Sequence, residues 1–425
     1  MSEAGPPAAA PPPGSAFTQV GPGLLVAAAG IGAGDIVSAT MAASRHGLTL
    51  LWVVAVAAAL KAVLNEGIAR WQLGTGTTAI EGWCTHLPRW VRWYFAAYLV
   101  LWTVSVSAAL TSACGLGLAT LTHGLVPRPA GAIVHSLVGG ALVLAGGFAG
   151  FERVMKVLIA TMFFAIVACA ALMFDAPGRA LAGLTVPVVP PGDATSVLSV
   201  LGGVGGSIAM LAYNYWMREE RMAGAGWLAF VRRDIAVAYV FTAVFAAAVM
   251  VVATAAFHVP GIAITNAQAV TRMAEALGET IGPVGFYAYA IGFWAAVFAS
   301  LLGVWQSLPY LFADYYGLLR GHPRAVRARL TMVTSTPYRL ALLFVTLVPL
   351  PFAFVDQPLV VIRTFTIVGS LFIPFLAATL LYLNNRVLPA TTGVPRNSAL
   401  VNAVLVLAFA VFAIVGAAEA GLLAR

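Results

Sequence analysis

Gly30-Ile31-Gly32-Ala33-Gly34-Asp35 lies inside the first long apolar stretch of the chain, and its last residue is an acid. A carboxylate at membrane depth is costly, and by default it marks a functional site there. The glycines before it let a helix break, which frees main-chain carbonyls and amides to face a substrate. An acid beside a broken apolar helix is the pattern of a membrane carrier.

The rest of the composition agrees. Of 425 residues, 61% are hydrophobic and only 9% are charged. A soluble domain carries about 25% charged residues, so the chain reads as a polytopic, all-α membrane protein. Its formal charge of +8 does not indicate nucleic acid, because no basic patch interleaves with aromatics on a polar domain. Cys84, Cys114 and Cys169 have neither CxxC spacing nor a disulfide-framework pattern. No cofactor is implied. Residues 1–19 are rich in Pro and Ala and contain no Lys or Arg, so they read as a disordered tail rather than a signal peptide.

About 20 apolar residues cross a hydrocarbon core as a helix. Eleven stretches meet that length, near 20–44, 48–73, 93–121, 130–149, 154–174, 195–217, 234–257, 284–316, 337–355, 358–384 and 399–423. With the amino terminus inside, only Arg45, Arg128, Arg179, Arg272, Arg363 and Arg425 of the 23 basic residues fall outside, and Lys61 lies mid-span. The bias predicts a cytoplasmic amino terminus and an external carboxyl terminus in the plasma or inner membrane. The Arg-rich segment 320–339 is then a cytoplasmic loop.

Span six carries a second glycine cluster, Gly202-Gly203-Val204-Gly205-Gly206, followed by Tyr213-Asn214-Tyr215-Trp216. Five spans separate the two clusters, and an odd number brings the second half in from the opposite side of the membrane. Paired, glycine-interrupted helices point to inverted repeats with the substrate between the breaks, whereas glycines alone also serve close helix packing. The expected organisation is a tail at 1–19, a first repeat at 20–174, a second at 195–384 and a final span at 399–423.

Few ionisable groups lie at membrane depth. Lys61 sits mid-span and must be paired, neutral or wet. It either pairs with Asp35 or supplies the charge that a metal or sodium ion supplies elsewhere; the alternative is a side chain snorkelling to the interface. Glu66 and Arg70 share a helix face at i, i+4 near the inner end, as a gate or structural ion pair. His135 is a packing residue or a proton relay. Gln306 and Ser307, near Pro309, give span eight a polar point that lines the pathway or joins helices. Arg363 opens span ten and Glu419 closes span eleven.

Gly21-Pro22-Gly23-Leu24-Leu25-Val26, Gly47 with Leu51-Trp52, and Asn65-Glu66-Gly67-Ile68-Ala69-Arg70 followed by Thr75-Gly76 form a further pattern. Together they resemble the first spans of the natural-resistance-associated macrophage protein (NRAMP) family of divalent-metal transporters. The resemblance implies a leucine-transporter-type fold of two inverted five-helix repeats plus an eleventh helix, and proton-coupled alternating access.

The departures bear on the substrate. Where the family has Asp-Pro-Gly-Asn in span one, this chain reads Gly32-Ala33-Gly34-Asp35, so the ligand Asp becomes Gly32 and the Asn becomes Asp35. Where the family has Met-Pro-His in span six, anchoring on Asn214 gives Leu211-Ala212-Tyr213, and a shift by one brings Met210 to the Met position. The third span lacks acids, since none lies between Glu81 and Glu152. A dehydrated Mn²⁺ or Fe²⁺ prefers a soft sulfur or imidazole ligand that is missing here. The expected cargo is a hard hydrated divalent cation or a small polar organic solute.

The reading places Asp35, Gly32, Gly34, Tyr213, Asn214 and Gln306 at the substrate. Lys61, Asp35 and His135 are assigned to the coupling proton, and Glu66 and Arg70 to the gate. The partners are the cargo, protons and the bilayer, and the chain is taken as a monomer. A non-transporting membrane sensor on the same scaffold is the alternative; an enzyme has no motif to support it.

Overall fold

Two of the predicted helix breaks organise the molecule. The computed structural model describes residues 21–419 except 192, 258–268, 356–360, 363, 366–367 and 370. The tail at 1–19, Arg363 and Arg425 lie outside the described residues, as does the side chain of Glu419. Among the described residues there is no strand.

The first span is two helices, α1 (Gly23–Gly30) and α2 (Ala33–His46). Gly32 between them is extended, and Asp35 at the third position of α2 reaches back to cap it. A 3₁₀ turn leads into α3 (Leu51–Thr75), followed by α4 (Ala79–His86), α5 (Arg89–Leu121), α6 (Arg128–Met173) and α7 (Pro177–Thr185). The sixth span is again split, into α8 (Ala194–Gly203) and α9 (Ala212–Glu219). Then come α10 (Leu228–Phe257), α11 (Ala269–Ile281), α12 (Pro283–Leu319), α13 (Arg324–Leu330), α14 (Thr336–Leu347), α15 (Phe372–Tyr382) and α16 (Ala399–Glu419).

Among the described residues seven helical runs are long and apolar enough to cross a membrane, fewer than the eleven stretches read from hydropathy. Grouping accounts for two of the four. The run Ala33–Thr75 joins half of span one to span two. With 46 residues α6 holds about twice the length that one crossing needs. Gly147 divides it into spans four and five at φ 55°, a left-handed value that favours glycine. The final helix α16 is shorter in its apolar stretch, and span ten is described only in part.

The helix α12 is the hub, packed on α1, α5, α6, α11 and α14, while α10 lies against α1, α2 and α3. In α12, 83% of the apolar window is buried, against 39% in α6, so α12 is central and α6 faces outward. Large apolar side chains such as Phe164 and Leu400, 71% and 76% exposed, mark the surface that lipid would cover.

Candidate functional site

The two breaks meet. Gly205 and Gly206 turn the sixth span at φ 85° and 71°, and a Cβ on Gly206 would lie 2.9 Å from the Cα of Gly30. Only glycine at both positions lets the segments touch. Asp35 bridges them. Its Oδ2 accepts the Gly32 amide at 2.9 Å and its Oδ1 accepts the Gly205 amide at 2.8 Å. One carboxylate thus satisfies the frayed start of α2 and the unwound segment after α8. Asp35 is only 3% exposed.

Opposite this junction lies a small cavity. Gly30, Gly32, Gly34 and Asp35 form one wall and Gly202, Gly203, Gly206 and Ser207 another; Trp102, Ser300 and Phe365 contribute from neighbouring spans. It offers about 20 Å³ to a water-sized sphere, close to the volume one water needs. Trp102 Nε1 donates to Ser207 Oγ at 2.9 Å, and Ser300 Oγ donates to the Ala29 carbonyl at 2.8 Å. The Trp102 and Phe365 rings lie side by side at a tilt of 58°, with centroids 6.1 Å apart.

Of the residues assigned to the substrate from sequence, Asp35, Gly32 and Gly34 line this cavity. Tyr213, Asn214 and Gln306 do not. The break ends at Ser207, and a 3₁₀ turn over Ile208–Leu211 carries the chain away before α9 begins. Tyr213 Oη instead donates to Asp234 at 2.8 Å, and Asn214 Oδ1 accepts the Ala79 amide at 3.1 Å. Gln306 Oε1 accepts the Trp216 indole N–H at 2.7 Å. Met210 is fully buried and also absent from the lining, where Ala209 stands.

Lys61 is fully buried but does not pair directly with Asp35. Its ammonium donates to the Gly202 carbonyl at 3.1 Å and to the Val204 carbonyl. His135 lies away from the cavity with both ring nitrogens engaged, by the Gly131 carbonyl and the Trp294 indole, each at 2.7 Å. Glu66 and Arg70 form a close pair at 2.6 Å; Arg232 of α10 joins them at 2.9 Å. Arg70 also donates to the carbonyls of Pro395 and Arg396, so the pair ties α3 to α10 and to the segment before α16.

Sequence reading missed two buried acids. Asp234 on α10 accepts the Gly21 and Gly23 amides at 3.0 and 2.8 Å, together with Tyr213, and holds the start of α1 against α9. Asp314 on α12 accepts Tyr215 Oη at 3.1 Å and pairs with Arg327 at 3.0 Å; Arg327 also reaches Glu81 at 2.7 Å. Burial opposes the charge on Arg327, the two carboxylates outweigh it, and its pKa is raised. Both stand at the edges of apolar stretches, so the test that singled out Asp35, an acid inside an apolar span, does not reach them. Among the described residues no three His, Cys, Asp or Glu side chains gather as a metal cluster.

A helical bundle in which two broken spans meet over a buried acid defines a leucine-transporter-type fold. The fold agrees with the solved structure of a manganese transporter from Eremococcus coleocola, at TM-score 0.73 over 95% of this chain and 86% of that one. It also agrees with the nucleobase-cation-symport-1 family transporter Mhp1, at TM-score 0.57 over 97% and 93%. Identities of 16% and 14% make both a likeness of fold. The chain belongs to the natural resistance-associated macrophage protein-like family, whose model matches residues 23–421. It is 26% identical over 259 residues to the divalent metal cation transporter MntH of Granulibacter bethesdensis, covering 56% of this chain and 55% of that relative. The matched stretch spans about half the length of such curated relatives.

Proposed function

We propose that this protein is a secondary transporter that works by alternating access, with its cargo site at the junction of the two breaks. The observation that carries this reading is Asp35, bonded to the Gly32 and Gly205 amides at 2.9 and 2.8 Å while facing the central cavity. A side chain shared by both breaks senses any movement of one half against the other. Family membership supports a divalent cation as cargo, and the cavity supports a hard one. Its polar groups are oxygens and main-chain amides, with neither sulfur nor imidazole. Each Asp35 oxygen keeps a second lone pair for the cargo. The present cavity is too small for a hydrated ion, so it corresponds to a closed state that must open to load.

A small polar organic solute is the second reading. The Trp102 and Phe365 rings in the cavity lining favour it, as does the Lys61 charge beside the sixth-span break. Protons are the coupling ion in either case, exchanged at Asp35; Lys61, its ammonium held by two carbonyls, and His135, bonded at both nitrogens, are left out of that role. The inner side is closed by the Glu66–Arg70–Arg232 and Asp314–Arg327–Glu81 groups, with the amino terminus cytoplasmic. Uptake of Mg²⁺ and Mn²⁺ by purified protein in liposomes tests the proposal. Saturable uptake that favours Mg²⁺ supports the hard-cation reading. No uptake of either ion by folded protein turns the cargo to organic solutes, and failure with those as well leaves a sensor.

A further inference from the structure

The ammonium of Lys61 sits on two main-chain carbonyls at the sixth-span break. We propose that Lys61 is a tethered cation, filling a carbonyl cradle at the sixth-span break that would otherwise bind a monovalent ion such as ammonium or sodium.

The cradle is built from the end of α8. Its last carbonyls lack helical partners because the helix stops at Gly203, and they carry the negative end of the helix dipole. Unwound carbonyls of this kind coordinate ions in other broken-helix carriers. Here Lys61 reaches across from α3 and donates to Gly202 O at 3.1 Å and to Val204 O. The Phe412 ring of α16 covers the ammonium at 5.7 Å, a contact that favours a cation. The residue after Val204 presents its amide to Asp35 at 2.8 Å. The same short segment therefore takes a positive charge on its carbonyls and a negative one on its amide, both supplied by the protein. Lys61 and Tyr239 crowd Gly205, where an added Cβ would lie 3.3 Å from Lys61 Cδ and 3.2 Å from Tyr239. Asn65, one turn further along α3, is fully buried beside the Tyr239 hydroxyl, so the surroundings are polar beyond the two carbonyls.

A fixed ammonium differs from a bound ion in one respect: it stays with the protein through the transport cycle. Lys61→Ala would remove the charge and leave space beside the carbonyls. Lys61→Met would remove the charge and keep the space filled.

The test is the melting temperature of the full purified chain, read against added ammonium, methylammonium and sodium chloride, with choline chloride as the ionic-strength control. Lys61→Ala is expected to melt below the wild type and to recover with a saturable upward shift in ammonium or methylammonium. The wild type and Lys61→Met are expected to respond only as they do to choline. Three results would overturn the proposal: a Lys61→Ala protein indifferent to these ions, a wild type that shifts equally, or a Lys61→Ala protein that does not fold even in ammonium. Melting needs no transport, so this outcome stands apart from the question of cargo.

Discussion

Asp35 carries most of the meaning at the scale of single residues. Asp35→Asn would set an amide NH₂ against one of two main-chain donors that the carboxylate now accepts. A buried donor left without an acceptor costs about 1–3 kcal/mol. The variant is expected to stay folded with a lowered melting temperature; an unchanged melt would show that the two amides find acceptors without it. Gly206→Ala is expected to destabilise by about 1–3 kcal/mol, since its backbone is left-handed and its Cβ would press on Gly30 at 2.9 Å. A melting curve matching the wild type would refute that. Trp102→Phe separates the two cargo readings. It removes the bond to Ser207 and alters the aromatic wall, so an organic cargo should show a raised KM while a hydrated cation should not. The place of Asp35 at the helix break was legible because a carboxylate among glycines in an apolar run must find partners. Tyr213 and Asn214 were misplaced because a 3₁₀ turn shifts the helical phase after the break, and sequence periodicity does not reveal such a shift.

Whole elements are held by buried charge. Arg327 is clamped between Asp314 and Glu81, with Arg327 and Asp314 only 5% and 1% exposed at the side chain. Removing one member of such a group strands the others, at about 3–5 kcal/mol. Arg327→Met is therefore expected to lower the melting temperature strongly. Arg45→Ala breaks a pair to Asp193 whose Arg is 50% exposed, where about 0–1 kcal/mol is the usual range. Equal shifts in the two variants would contradict the buried-lock account. The Glu66–Arg70 pair was readable from its i, i+4 spacing. Its third partner Arg232 was not, because that contact spans 166 residues of chain. The helix breaks were readable as glycine clusters, whereas the acids that lock the helix ends, Asp234 and Asp314, sit at the edges of apolar runs and resemble ordinary termini.

At the scale of the molecule, eleven apolar stretches and two glycine clusters five spans apart were enough to imply paired broken helices. The observed bundle has that form, and its hub α12 packs against α1, α5, α6, α11 and α14. Which groups fill the junction depends on how the two halves meet, and only the folded chain shows that Lys61 serves the sixth-span break while Asp35 serves both. The central claim is that the junction is a transport site governed by Asp35. The most direct test is uptake of Mg²⁺ and Mn²⁺ into liposomes by the wild type and by folded Asp35→Asn, under an inward proton gradient. The account predicts saturable, gradient-dependent uptake by the wild type that is lost in the variant. Equal uptake by the two proteins would contradict it.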